Sequence, residues 1–90
     1  MKIIRHYTKS QPEMRTKLQN MAETMGRELR VSSQWQSPDL LDFKGTGISG
    51  RIFLNEAQRR LEIEVQKSFL MPISNDAIAA KINAYLDEEL

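Results

Sequence analysis

Ninety residues can enclose only one small core, because a chain of this size buries roughly 60–65% of the surface that its unfolded form exposes, so residues 1–90 are read as a single domain. Forty per cent apolar and 28% charged residues with a net charge of +1 describe a soluble globule without the overall basic excess of a nucleic-acid binder. The absence of cysteine and the presence of one histidine, His6, exclude disulfide scaffolds, thiolate metal sites, a cysteine nucleophile and any internal multi-histidine site.

The elements follow in chain order. Lys2 to Tyr7 is short, β-branched and aromatic, and reads as a strand. Its charges come too early for a secretory apolar segment, and no apolar run in the chain approaches the roughly 18 residues of a membrane span, so a cytoplasmic protein is expected. Ser10 with Glu13 three residues on is a capping-box pattern. Met14, Leu18, Met21, Met25 and Leu29 then recur at helical spacing, predicting a helix over residues 11–29 that Gly26 weakens. A Met stripe can greet varied apolar partners, but at this spacing it reads first as core.

From Val31 the period changes to two. Val31, Ser33 and Trp35 alternate with Ser32, Gln34 and Gln36, and Ser37-Pro38-Asp39 signals a turn. Leu41 and Phe43 share a face. Beyond Gly45-Thr46-Gly47, Ile48, Gly50, Ile52 and Leu54 share one face, and Ser49, Arg51 and Phe53 the other. After a polar loop, Leu61, Ile63 and Val65 alternate with Glu62, Glu64 and Gln66. Such alternation describes strands wetted on one side. Ser74 is a good N-cap for a last helix with Ile78, Ile82, Tyr85 and Leu86 on its buried stripe, and Ile73 can staple to Ile78. The expected order is β-α-β-β-β-β-α. With one polar sheet face, both helices cover the other, giving a two-layer α+β domain with one antiparallel sheet.

Charge is uneven along the chain: residues 1–36 carry seven Lys/Arg against three Glu, and residues 61–90 carry two against six Asp/Glu. Complementarity within one molecule is the preferred explanation, with head-to-tail pairing of copies as the alternative. Gly45-Thr46-Gly47-Ile48-Ser49-Gly50 matches a dinucleotide-binding pattern in letters, but that site needs a helix after the glycines and this run leads into a strand, so a turn is expected. Glu62 and Glu64 on one strand face would stand about 7 Å apart, a spacing compatible with paired-carboxylate chemistry. Arg51 falls opposite one of them in either hairpin register that keeps the apolar faces inward, which makes ordinary cross-strand ion pairs the better reading. His6 has no orienting partner nearby and reads as a strand-end surface residue. Asp87-Glu88-Glu89 reads as a solvated tail.

Three stretches together resemble a known family: Leu41-x-Phe43-x-Gly45-x-Gly47-Ile48-x-Gly50-x-Ile52, then Leu61-x-Ile63-x-Val65-x-x-x-Phe69-Leu70-x-Pro72-Ile73, then Ile78-x-x-x-Ile82-x-x-x-Leu86-Asp87-x-x-Leu90. In order and spacing they are similar to the polyhydroxyalkanoic acid system proteins, most clearly over residues 39–90. The first helix departs in being Met-rich where that family tends to Ala. The resemblance implies association with systems that make and store bacterial polyester granules, and no enzymatic activity, catalytic residue or cofactor.

The resulting expectation is a small non-enzymatic protein acting through a granule-associated protein, the polyester granule surface or a second copy of the chain. Phe53, Phe69, Leu70 and Met71 are its candidate contacts. Along Phe69-Leu70-Met71-Pro72-Ile73, strand parity points Phe69 inward with Leu61, Ile63 and Val65, and leaves Leu70, then Met71, in water. Two alternatives are a carrier of a small apolar ligand between helices and sheet, and an uncharacterised enzyme using Glu62 and Glu64. No metal, cofactor, nucleic acid or membrane span is expected.

Overall fold

A computed structural model describes residues 1–90. The chain forms β1 (Lys2–His6), α1 (Gln11–Leu29), β2 (Val31–Ser37), β3 (Leu40–Gly45), β4 (Ile48–Asn55), β5 (Arg60–Lys67) and α2 (Asn75–Glu89). The strands make one antiparallel sheet in the order β1-β5-β4-β3-β2. This is the expected α+β order, with β2 through β5 a meander and β1 closing the far edge. A connection from β1 to β2 must therefore cross the whole sheet, about 19 Å for five strands. The 19 residues of α1 extend about 28 Å and make that crossing.

Local chemistry sets the helix ends. Glu13 N–H donates to Ser10 Oγ at 3.4 Å, while Ser10 Oγ donates to Glu13 Oε1 at 3.2 Å, so the carboxylate takes the hydroxyl instead of completing a reciprocal backbone cap. Gly26 does not end α1. A Cβ there would lie 2.9 Å from the Val31 carbonyl oxygen, so the glycine admits the start of β2 against the helix. The stop comes at Arg30, in left-handed conformation with φ 57°. For α2, Ala77 N–H donates to Ser74 Oγ at 3.1 Å, as a Ser N-cap should.

Both helices pack on one sheet face. Leu18, Met21, Ile52, Ile63, Ile78 and Ile82 are all buried, and no polar or charged residue is. Met14, Met21 and Met25 belong to this core. Phe43 packs across Gly50, its partner on β4, where a Cβ would collide with the Phe43 ring and the Glu64 carbonyl oxygen. Beside the core, the Trp35 indole donates to Gln19 Oε1 at 2.9 Å and the Arg15 guanidinium sits 4.6 Å from its ring centre.

The two helices run antiparallel, tied at three points. Lys17 Nζ reaches Glu89 Oε2 at 2.6 Å, Tyr85 Oη donates to the Lys17 carbonyl at 3.3 Å, and Lys81 Nζ reaches Glu28 Oε2 at 3.0 Å. Arg5 joins β1 to α2 through Asn83 Oδ1 at 3.0 Å and Asp87 Oδ1 at 2.7 Å. The acidic C-terminal segment is helical to Glu89, with Asp87 and Glu89 meeting Arg5 and Lys17 of the first third while Glu88 stays in water as expected. The opposed charges of the two ends of the sequence pair within one molecule.

Candidate functional site

The connector from β5 to α2 forms an apolar knuckle. β5 ends at Lys67, after which Met71 N–H donates to the Ser68 carbonyl at 3.1 Å and Leu70 N–H to Ser68 Oγ at 3.2 Å. Ser68 thus closes a tight turn with both its main chain and its hydroxyl, placing Phe69 and Leu70 at the tip. Ser68 N–H donates to the Gly47 carbonyl at 2.9 Å, fixing the turn to the β3–β4 hairpin. Phe69 is 92% exposed and Leu70 60%, whereas Met71 is only 7% exposed. Two expectations are corrected here. Phe69 does not continue the inward set of β5, and Met71 is core and not a surface contact. The physical reason is the Ser68 turn: strand parity stops at Lys67, and Met71 is the residue the turn folds back onto the core.

The hairpin beneath is built for close approach. Thr46 and Gly47 alone link β3 to β4, and Gly47 has φ 76°. A Cβ on Gly47 would lie 2.9 Å from both Leu70 Cβ and Met71 N. Glycine serves the positive φ and the packing of the knuckle together. The G-x-G-x-x-G letters lead into β4, so no helix N-terminus stands where a pyrophosphate would need one. A shallow groove at the foot of the knuckle is lined by Lys44, Gly47, Ser49, Gln66, Lys67 and Ser68.

The outer sheet face carries the fourth expected contact. Phe53 is 37% exposed and pairs with Leu40 on β3, while Ile4, 49% exposed, lies on β1 in the same cross-strand row. Ile4 escapes a reading by alternation because β1 is so short. Ile3 and Ile4 are adjacent, one must face outward, and only the burial of Ile3 decides which. Within this row Glu62 lies between Ile4 and Phe53, with Lys2 Nζ at 3.2 Å and Arg60 Nη2 at 3.3 Å. The hydrogen bond from Lys2 holds the Glu62 carboxyl below the usual carboxylate range, with the charge of Arg60 adding to it against partial burial. A carboxyl shifted that way is a poor general acid at neutral pH. Arg51 pairs in register with Glu64, one of the two alternatives, and its nearest ion pair is Asp42 Oδ1 at 3.8 Å. His6 is exposed at the end of β1. Nowhere do three or more His, Asp or Glu side chains gather to hold a metal ion.

Between the helices and the sheet lies a pocket of about 40 Å³, lined wholly by apolar side chains such as Met21, Phe43, Ile63 and Ile78. A cavity of roughly 150 Å³ is what a benzene-sized guest occupies. The pocket is well short of that. No helix is long and apolar enough to cross a membrane.

Compared with known proteins, residues 1–90 match the model of the family described as "Putative polyhydroxyalkanoic acid system protein". No curated protein and no solved structure matches the chain.

Proposed function

We propose, from the premise that this chain belongs to the polyhydroxyalkanoic acid system family, that it is a cytoplasmic, non-enzymatic protein of a polyester storage system that docks on the granule surface through the Phe69–Leu70 knuckle. The observation that carries the proposal is the exposure of these two side chains on a turn pinned from both sides, by Ser68 and by Gly47. Two large apolar residues held out on an ordered turn lose little conformational freedom on insertion into an apolar phase. The site is convex, which suits a soft surface better than it suits a small molecule. Lys44 and Lys67 at its base add attraction to any anionic coat. The paired state of Glu62 and the small core pocket both favour this reading over an enzyme or a carrier.

The test is co-sedimentation of the purified chain with polyester particles, bare and protein-coated. Burial of a Phe or Leu side chain contributes about 1.5–3 kcal/mol, so Phe69→Asp and Leu70→Asp should each weaken binding about tenfold or more while leaving thermal stability near that of the parent. Met71→Asp is the contrasting variant: it places a carboxylate in the core and should unfold the domain. Binding to coated particles alone would assign the knuckle to a granule protein. Unchanged binding by folded Phe69→Asp and Leu70→Asp would move the contact elsewhere.

A further inference from the structure

The helices cover one face of the sheet and leave the other open. One row on that open face runs across four strands as Lys2 (β1), Glu64 (β5), Arg51 (β4) and Asp42 (β3), by the observed registers. Its charges alternate plus, minus, plus, minus, and all four side chains are between 36% and 58% exposed. The parallel row one step along is Ile4, Glu62, Phe53 and Leu40. Asp42 Oδ1 is buried and makes no hydrogen bond, Arg51 Nε being its ion-pair partner at 3.8 Å.

From this pattern we propose that the open face binds a second copy of the chain, about a two-fold axis that runs parallel to the strands between β4 and β5. Such an axis keeps each row over its own counterpart and reverses its direction. Lys2 then meets Asp42 of the other copy, Glu64 meets Arg51, Ile4 meets Leu40, and Glu62, already paired with Lys2 and Arg60 of its own copy, meets Phe53. The placement is selective. An axis along β5 itself would set Glu64 on Glu64 and Lys2 on Arg51, and an axis along β4 would set Arg51 on Arg51. An axis perpendicular to the strands through the charged row would set each charge on its like. For an axis parallel to the strands, alternation therefore admits face-to-face pairing when the axis falls between strands, and the position between β4 and β5 engages all four charges and covers Ile4.

The overlap of four strands is roughly 19 Å by 20 Å, a footprint about half of the about 800 Å² per partner of a standard stable interface, so weak, transient association that is sensitive to salt is expected. One consequence rests on the proposed function. A two-fold parallel to the strands places equivalent strand ends together, so both Phe69–Leu70 knuckles would project from the same end and engage one surface bivalently.

Sedimentation equilibrium of the whole chain without granules tests the pairing separately from granule binding. The parent chain should be in monomer–dimer equilibrium at concentrations up to about 500 µM. Arg51→Glu alone sets Glu64 against a glutamate, and Glu64→Arg alone sets Arg51 against an arginine, so each should weaken association about tenfold or more. An equimolar mixture of the two variants restores opposite charges at both contacts and should associate as the parent does, even though each copy keeps its altered pairing within its own sheet. A parent chain that stays monomeric leaves the face to another occupant and overturns the proposal. So does a mixture no tighter than its components, or single variants that pair like the parent.

Discussion

Tyr7 shows how one residue can hold a small domain at its corner. Its ring is buried, its hydroxyl donates to Glu56 Oε2 at 2.9 Å, and its N–H donates to the Arg59 carbonyl at 3.0 Å. Arg59 returns the contact, its Nη1 donating to the Thr8 and Lys9 carbonyls at 3.2 and 2.8 Å. One side chain thus joins the β4–β5 loop to the start of α1. Burial, reinforced by the hydrogen bond to Glu56, pushes the Tyr7 phenol up to about 12 from its ordinary value near 10. The folded state therefore keeps the proton that the unfolded chain would release. This contribution is intact below about pH 10 and is lost as pH rises towards 12. In a spectrophotometric titration, Tyr7 phenolate should appear only as the fold is lost, and Tyr7→Phe should remove that step. Ionisation of Tyr7 near pH 10 in a folded chain would contradict the assignment. Nothing in the sequence marks Tyr7 for this role, because Glu56 and Arg59 lie some fifty positions away and only the closing of β1 onto β5 brings them near.

At the scale of elements, period and punctuation made most of the fold legible. Leu61, Ile63 and Val65 alternate because a half-buried strand requires it, and Ser10 and Ser74 cap their helices because the first N–H groups need acceptors. Legibility failed where a turn interrupts the period. Phe69 follows β5 at the correct parity to face inward, but Ser68 redirects the chain and Met71 takes the buried place. The signal available was Ser68 itself, whose hydroxyl can cap a turn, yet Ser is common enough in strands' neighbourhoods that apolar parity outweighs it. The hairpin under the knuckle is where element geometry can be tested. Thr46 lacks the positive φ that the usual two-residue hairpin turns place at the first loop position, so the left-handed conformation falls on Gly47 alone. Gly47→Ala should cost about 1–2 kcal/mol from left-handed strain, with further loss from the crowded Leu70 and Met71, measured by chemical denaturation. A variant as stable as the parent would mean that the turn relaxes and does not hold the knuckle.

The whole molecule is a sheet with one face used for folding and two features left for the outside. A sequence that is basic at one end and acidic at the other folds so that Lys2, Arg5 and Lys17 meet Glu62, Asp87 and Glu89. Each surface pair contributes little alone, and together they set how β1 and the two helices are docked. What remains unpaired in apolar terms is the knuckle, and Phe69 projects further into water than any other large apolar residue of the chain. The four candidate contacts were thus legible as a set of apolar residues, but only a three-dimensional structure separates Met71 from Phe69 and Leu70, and adds Ile4 to the Phe53–Leu40 pair on the sheet.

Hydrogen–deuterium exchange of the chain with and without polyester particles tests the central claim most directly. Leu70 N–H is held only by an exposed serine hydroxyl, so in the free protein Phe69 and Leu70 should exchange rapidly. Bound to particles, the segment from Ser68 to Leu70 should be protected at least tenfold, with α1 and α2 unchanged. Protection confined to the helices or to β2, with Phe69 and Leu70 still exchanging freely on bound protein, would contradict docking through the knuckle.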